Sequence, residues 1–215
     1  MTRLERYARL AGVPAGMLWL AGVLILEAGG NPADPDGTAE IVAHFRDHRT
    51  AILAGGTLFV LGGFFFLWFV ATLNAALRSA GAADWLRSAA LASGAAAGAL
   101  MLGLVGPQTT GATTDAELLD PGAAVALWRL AHAFFVAAEI AFAAFVAAVS
   151  VLALQRVLLP RWLGWVGLAI VVVLLVPPIG WVALIFLVPL WIAAAAVLLF
   201  LRPAPVAVPA PDRRA

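Results

Sequence analysis

The chain has 215 residues, of which 64% are hydrophobic and 12% are charged, and its mean hydropathy is +1.01. Soluble proteins average about 45–50% apolar and about 25% charged residues. A soluble fold of this length cannot bury so much apolar surface, whereas uncharged runs of about 18 residues or more are typical of membrane spans. The composition therefore predicts an all-α, polytopic integral membrane protein, with the lipid bilayer as its first partner.

Charge and cysteine content exclude several other classes of protein. The formal net charge is only +1 and the charges are dispersed, so no basic surface for nucleic acid is expected. The absence of cysteine excludes disulfides, thiolate metal sites and cysteine nucleophiles. No motif specifies a reaction and no nucleophile–base pair is recognisable, so the sequence favours a role other than catalysis and nominates no catalytic residue.

Six apolar segments separated by charges are predicted to span the membrane: 10–28, 51–77, 88–106, 122–155, 159–176 and 181–201. The last two share one uncharged run that is too long for a single helix, because a bilayer core of about 30 Å needs only about 20 residues. Pro177 and Pro178, followed by Gly180, break this run into a helical hairpin. The segments are apolar all round rather than alternating, which favours helices over membrane strands.

Small residues in the first and third spans predict close helix packing. Gly12 and Gly16 in the first span, and Gly94 and Gly98 in the third, have the four-residue spacing that lets backbones approach closely. The third span is rich in alanine and glycine and has no aromatic residue, so we expect it to be surrounded by protein. Trp19 falls in the middle of the first span and is expected to pack inside.

The arginines predict the orientation, because cytoplasmic segments carry an excess of basic residues. With the N-terminus inside, ten of the thirteen arginines fall on the cytoplasmic side and three on the outer side. The prediction is therefore a six-helix bundle with both termini cytoplasmic and a Pro-rich, disordered tail over residues 203–215. The three outer arginines are Arg46, Arg49 and Arg129.

The first outer segment contains a short amphipathic helix that begins near Thr38. We expect this helix to lie at the membrane interface, with its apolar residues on one side and its polar residues on the other. The apolar side is Ile41, Val42 and Phe45, and the polar side is Glu40, His44 and Asp47. Asp120-Pro121 is a favourable start for the fourth long helix.

Two histidines of this outer helix are weak candidates for metal binding. His44 and His48 are one helical turn apart and can share a divalent ion, and Glu40 lies one turn earlier. The segment lacks the glutamate that follows the first histidine of zinc proteases. A divalent metal here is therefore an alternative, and no other cofactor is expected.

The fourth span carries an acid within the hydrocarbon region. Counting about 20 residues from Arg156 places Glu139 inside the core and His132 and Arg129 at the outer interface, all on one helical stripe. An embedded carboxylate is costly, so Glu139 should face the bundle and either have a partner or be protonated. One interpretation is a ligand- or proton-binding cleft, and the other is a structural acid that fixes helix register.

The segment LPRWLGWVG at residues 159–167 resembles an element of a known family. The start RLAGV at 9–13 and Asp47-His48-Arg49 are similar as well. On these pieces the chain resembles uncharacterised six-helix bacterial, actinobacterial-type integral membrane proteins of unknown function. The resemblance implies six spans and a bacterial plasma membrane, and it transfers no catalytic residue.

Three functional hypotheses follow. The first is the binding or translocation of a lipid-like or small solute through an outer-facing polar cleft around Glu139. The second is a non-catalytic accessory or assembly subunit, either in a homo-oligomer or in a larger membrane complex. The third is a membrane enzyme or metalloprotein that uses the outer histidines and acids.

Overall fold

The computed structural model describes residues 3–28, 30, 32, 37–115, 118–177 and 179–202, and over these residues every regular element is a helix. The predicted tail at 203–215 lies outside the described residues. A 3-10 turn at Arg9–Ala11 joins the first two helices, and a π turn at Ala183–Leu187 joins the last two. The helices are α1 Arg3–Ala8, α2 Gly12–Ala28, α3 Thr38–Asp47, α4 Arg49–Ser79, α5 Asp84–Thr113, α6 Pro121–Leu154, α7 Arg161–Leu174, α8 Gly180–Val182 and α9 Val188–Leu201.

Five helical segments are long and apolar enough to cross a membrane: Arg6–Leu26, Arg49–Ser79, Asp84–Thr113, Pro121–Leu154 and Gly180–Leu201. The predicted fifth span is shorter than expected, because α7 has 14 residues and is about 21 Å long. The architecture is that of a helical, multi-pass membrane protein.

The predicted break between the last two long segments is confirmed. α7 ends at Leu174, and the chain turns before it resumes as a helix at Gly180. In the π turn that follows, the Val188 N–H donates to the Ala183 carbonyl. Pro189 comes next and has no N–H to continue the usual ladder, which accounts for the irregular turn at this position.

Aromatic rings fill the centre of the bundle, between α2, α4, α6 and α9. Trp19 contacts the rings of Phe66 and Phe142, the latter edge-on, and Phe145 contacts both Phe66 and Trp191. Trp19 is buried as expected, Trp191 is buried as well, and each indole N–H is paired. Trp19 donates to the Phe59 carbonyl over 3.2 Å, and Trp191 donates to the Leu163 carbonyl over 3.1 Å.

The glycine pairs do make close contacts. A methyl group at Gly16 would lie 2.6 Å from the Pro189 carbonyl oxygen of α9, and one at Gly94 would meet Phe145 and Val70 at 2.9 Å. The expectation that the third span is surrounded by protein is wrong, because α5 leaves one face exposed, including Leu91. α5 packs through its glycine face only, and α6 is the helix at the centre of the bundle.

Two helices end with the same hydrogen-bond pattern but with different residues in the left-handed position. After α4, Gly81 has φ +73°, and the Ala82 N–H donates to the Leu77 carbonyl. After α6, Arg156 has φ +58°, and the Val157 N–H donates to the Leu152 carbonyl. This C-terminal motif favours glycine, because a side chain in the left-handed region clashes with the backbone.

Replacing Arg156 by glycine should therefore raise the free energy of unfolding by about 1 kcal/mol. Replacing Gly81 by alanine should lower it by a similar amount, since a methyl group at Gly81 would meet no other atom and only backbone strain is added. Denaturant titration in detergent micelles measures both variants. Equal stabilities of Arg156→Gly and the parent would contradict this interpretation.

Candidate functional site

The amphipathic helix α3 covers one end of the bundle, which we call the α3 end. Its predicted apolar side is confirmed, because Ile41 and Phe45 are fully buried against a cluster that includes Ala112 of α5 and Ala124 of α6. A methyl group at Gly111 would lie 2.7 Å from the Phe45 ring, so the helix is tightly seated. These apolar side chains are covered by protein rather than facing the bilayer.

The start of α6 beside this helix is capped as predicted. Pro121 occupies the first turn, and the Asp120 carboxylate accepts a hydrogen bond from the Ala123 N–H over 2.9 Å. This cap fixes where α6 begins and therefore which of its residues face α3.

Beneath α3 lies a cavity of about 310 Å³ that reaches into the bundle. Its wall is mostly aromatic and aliphatic, and its polar groups include His44 of α3 and Trp128, whose ring contacts His44. A volume of this size is at the small end of the range for small-molecule sites, and an apolar wall with a few polar groups is typical of them. The apolar lining includes Trp19, Phe59, Met101, Leu104, Ala131 and Phe142, and the polar lining is His44, Gln108, Trp128, His132 and Trp181.

The polar groups of the lining are available for a ligand. Within the described part of the chain, none of these five side chains has a hydrogen-bond partner. The deeper tryptophans differ from Trp128 and Trp181 in this respect, because the indole N–H groups of Trp19 and Trp191 both donate to backbone carbonyls. An indole N–H is only a donor, and an imidazole or an amide can also donate.

His44 lies closer to the protein than its predicted place on the polar side of α3. It is partly buried, and its ring contacts Trp128 edge-on at 5.3 Å and His48 at 5.1 Å. Glu40, on the same helix, is exposed. No group of three histidine or acidic side chains that could hold a metal ion occurs among the residues the structure describes.

The three predicted residues of the α6 stripe have different surroundings. His132 lines the cavity and is exposed, whereas Arg129 is exposed and is not part of the lining. Glu139 is buried, with 9% of its surface exposed, and it too is absent from the lining. A methyl group at Gly180 would lie 3.2 Å from Glu139 Oε1, so the carboxyl group sits against the start of α8.

The position of Glu139 suits a carboxyl group. The helical segment that begins at Gly180 has the positive end of its dipole near this carboxyl group, which favours a negative side chain. Trp181, the next residue, lines the cavity. Glu139 thus lies against the residue that precedes a member of the cavity wall, and it is not itself part of the lining.

Sequence reasoning missed Gln108, Trp128 and Trp181 as parts of a site. They come from three segments distant in the chain, and only the fold brings them together. The one available signal was the interfacial position of the two tryptophans at predicted outer ends of spans.

The docking of α3 should weaken at acidic pH. Partial burial, and next the nearby His48, lower the pKa of His44 below its usual value near 6.5. The undocked helix then binds protons more readily, so docking is strongest above pH 6.5 and weakens as pH falls through that value.

Amide hydrogen exchange, corrected for intrinsic rates, measures this effect. Residues of α3 should exchange faster relative to α5 at pH 5 than at pH 7.5, and His44→Gln should reduce the difference. An unchanged pH dependence in His44→Gln would show that His44 is not the titrating group.

Comparison with protein-family models, with curated proteins and with solved structures finds no match for this chain.

Proposed function

We propose that this chain is a six-span protein of a bacterial plasma membrane that binds a lipid-like molecule in the cavity beneath α3. The observation that carries the proposal is the cavity itself, whose wall is largely aromatic and aliphatic and includes polar groups that have no hydrogen-bond partner among the residues the structure describes. An amphiphile fits such a wall, because its hydrocarbon part can bury against the rings while its polar part hydrogen-bonds to the polar side chains of the lining.

The charge distribution supports an outward-facing cavity. Arginines gather at the end of the bundle opposite α3, where Arg9 donates to the Leu199 carbonyl and Arg161 donates to the Leu154 carbonyl. By the positive-inside rule that end is cytoplasmic, and both termini are on the same side if α7 and the segment from Gly180 form two spans.

The short hairpin of α7 and α8 supports entry of the ligand into the cavity from the surrounding bilayer. Glu139, which contacts the hairpin at Gly180, lies 15 residues or about 22 Å along α6 from Leu154. α6 continues outward for about another 27 Å, so the hairpin leaves the outer part of this helix uncovered. His132 is exposed there, and Trp181 is 47% exposed, as expected at an opening toward the outer leaflet.

In this proposal the three residues of the predicted α6 stripe have different roles. His132 contacts the ligand, and Arg129 lies one turn nearer the outer surface. Glu139 is a positioning residue that holds the start of α8 and thereby places Trp181 in the cavity wall.

Photolabelling in lipid nanodiscs tests the proposal. A single-chain amphiphile with a diazirine in its hydrocarbon chain should label residues from α2, α5 and α6 that line the cavity, and an excess of the unlabelled amphiphile should suppress that labelling. Residues such as Phe64 and Trp68 on α4 provide the internal control, because they are 53% and 54% exposed and face away from the core. Labelling at these exposed positions should resist competition.

Labelling confined to Phe64, Trp68 and other exposed side chains would contradict the proposal. That result would mean that the probe meets only bulk lipid around the bundle.

A further inference from the structure

We propose that the turn between α6 and α7 binds the head group of an anionic phospholipid in the leaflet that surrounds this end of the bundle. The α6–α7 turn, residues 155–160, lies at the end opposite α3, which we call the arginine end. None of its residues lines the cavity beneath α3. The proposal is therefore independent of the proposed function and concerns a second surface.

The arginine end carries more arginine than its acids can balance. By sequence, the chain at and beyond the helix ends that meet here has ten arginines and three acids, Glu5, Asp84 and Asp212. Seven of these arginines belong to the described residues, so one-to-one pairing with all three acids still leaves at least four of them unbalanced. Each basic residue near a membrane surface strengthens the attraction to anionic lipid about fivefold. The seven are Arg6, Arg9, Arg78, Arg87, Arg156, Arg161 and Arg202.

Two of these arginines, Arg156 and Arg161, are exposed at the α6–α7 turn and form no ion pair with a described acid. Arg161 donates through Nε to the Leu154 carbonyl over 3.1 Å, and this neutral acceptor leaves the charge of the guanidinium group in place. The bond holds the Arg161 guanidinium at the end of α6, close in sequence to Arg156. Arg87, at the start of α5, differs because Asp84 binds it over 2.9 Å. The two arginines of the α6–α7 turn are thus available to a phosphate group.

The backbone at Arg156 points to a role for its side chain beyond folding. Arg156 has φ +58°, and the equivalent position after α4 is occupied by Gly81 with φ +73°. Glycine at position 156 would relieve the strain that a side chain suffers in this region. Strained backbone is found preferentially at functional sites, and an exposed arginine in such a position suits a binding surface.

Aromatic side chains beside the turn favour a lipid over a soluble anion. Trp162 and Trp165, in the first turns of α7, are 55% and 65% exposed. Indole rings concentrate at the depth of the lipid head groups. The exposed side of α7 continues through Val166 and Val172, along which an acyl chain can lie. The surface therefore offers guanidinium groups to the phosphate and an apolar face to the chains of the same molecule.

Native mass spectrometry of the protein in detergent tests the proposal. The protein is offered equal amounts of dioleoylphosphatidylglycerol and dioleoylphosphatidylcholine, which share their acyl chains and differ in head-group charge. We expect the anionic lipid to be bound at least tenfold more than the zwitterionic one. Glycerophosphoglycerol, the anionic head group without its chains, should not displace the lipid at equal concentration, and displacement would overturn the lipid as the occupant.

Variants connect the preference to the α6–α7 turn. Arg156→Gly should reduce the preference at least threefold while making the protein more stable, so that misfolding is not the cause, and Arg156→Lys should stay within about twofold of the parent. Arg78→Gln removes the same charge from the exposed end of α4 and should change the preference by less than about twofold. Equal binding of the two lipids by the parent, or equal losses in Arg156→Gly and Arg78→Gln, would overturn the proposal.

A variant of the cavity separates this surface from the proposed function. Ala131→Phe places a ring in the cavity beneath α3, and the preference for the anionic lipid should stay within about twofold of the parent. Loss of the preference in Ala131→Phe would mean that the anionic lipid binds in the cavity, and it would overturn the assignment to the α6–α7 turn.

Discussion

Replacing Gly16 by alanine is expected to destabilise the protein by about 2 kcal/mol, after allowing for the roughly 1 kcal/mol that alanine gains in helix propensity. The added methyl group would lie 2.6 Å from the Pro189 carbonyl oxygen, which belongs to the backbone of α9 and cannot move aside as a flexible side chain can. α2 and α9 would have to separate, and the wall of the cavity formed by Trp19 and Pro189 would move with them.

Denaturant titration in micelles measures this loss, and Ala21→Leu in the same helix is the matched control. Ala21 is exposed, so leucine adds more volume there than alanine adds at Gly16 but meets no helix of the bundle. We expect the free energy of unfolding of Ala21→Leu to lie within about 0.5 kcal/mol of that of the parent. Similar losses in both variants would show that the close contact of α2 with α9 is not the cause.

Filling the cavity should abolish ligand binding. Ala131 of α6 is buried and lines the cavity, so Ala131→Phe places a ring in the space that the hydrocarbon part of the ligand occupies. We expect the apparent affinity for the photoprobe to fall at least tenfold, because the ligand loses buried apolar surface worth about 25 cal/mol per Å².

Ala133→Phe makes the same chemical change two residues further along α6, where the side chain is exposed and does not line the cavity. The apparent affinity of Ala133→Phe for the photoprobe should lie within about twofold of that of the parent. Competable labelling of Ala131→Phe at the parent level would mean that the ligand binds elsewhere.

The helical segments were predictable because they depend on local features. The charges that bracket each apolar run, the two prolines before Gly180, and the Asp120-Pro121 start of α6 each act over a few residues. The burial of Ile41 and Phe45 could also be read from the spacing of apolar residues in α3.

The arrangement of helices was less predictable. An alanine- and glycine-rich span can be surrounded by protein, or it can pack closely on one face and expose the other, and α5 does the latter. The sequence shows that Gly94 permits close contact, but not which residues stand opposite it. α6 carries larger side chains such as Phe142 and Phe145 and occupies the centre instead.

The candidate site, like the arrangement of the helices, could be predicted only in part from the sequence. Helical spacing predicts that His132 and Glu139 lie on one stripe of α6, but the surroundings of each depend on other segments of the chain. His132 meets the cavity, while Glu139 meets Gly180, which is 41 positions away in sequence. Gln108 and Trp181 join the cavity wall through long-range packing, which no local pattern in a single sequence specifies.

The most direct measurement of the central claim is a density map of the protein purified in lipid nanodiscs at a resolution that shows bound lipid. We predict elongated density that runs from the rings of Trp19 and Phe142 toward His44 and His132, with its wider end at the two histidines. A cavity that is empty, or closed by its own side chains in the presence of lipid, would contradict the account.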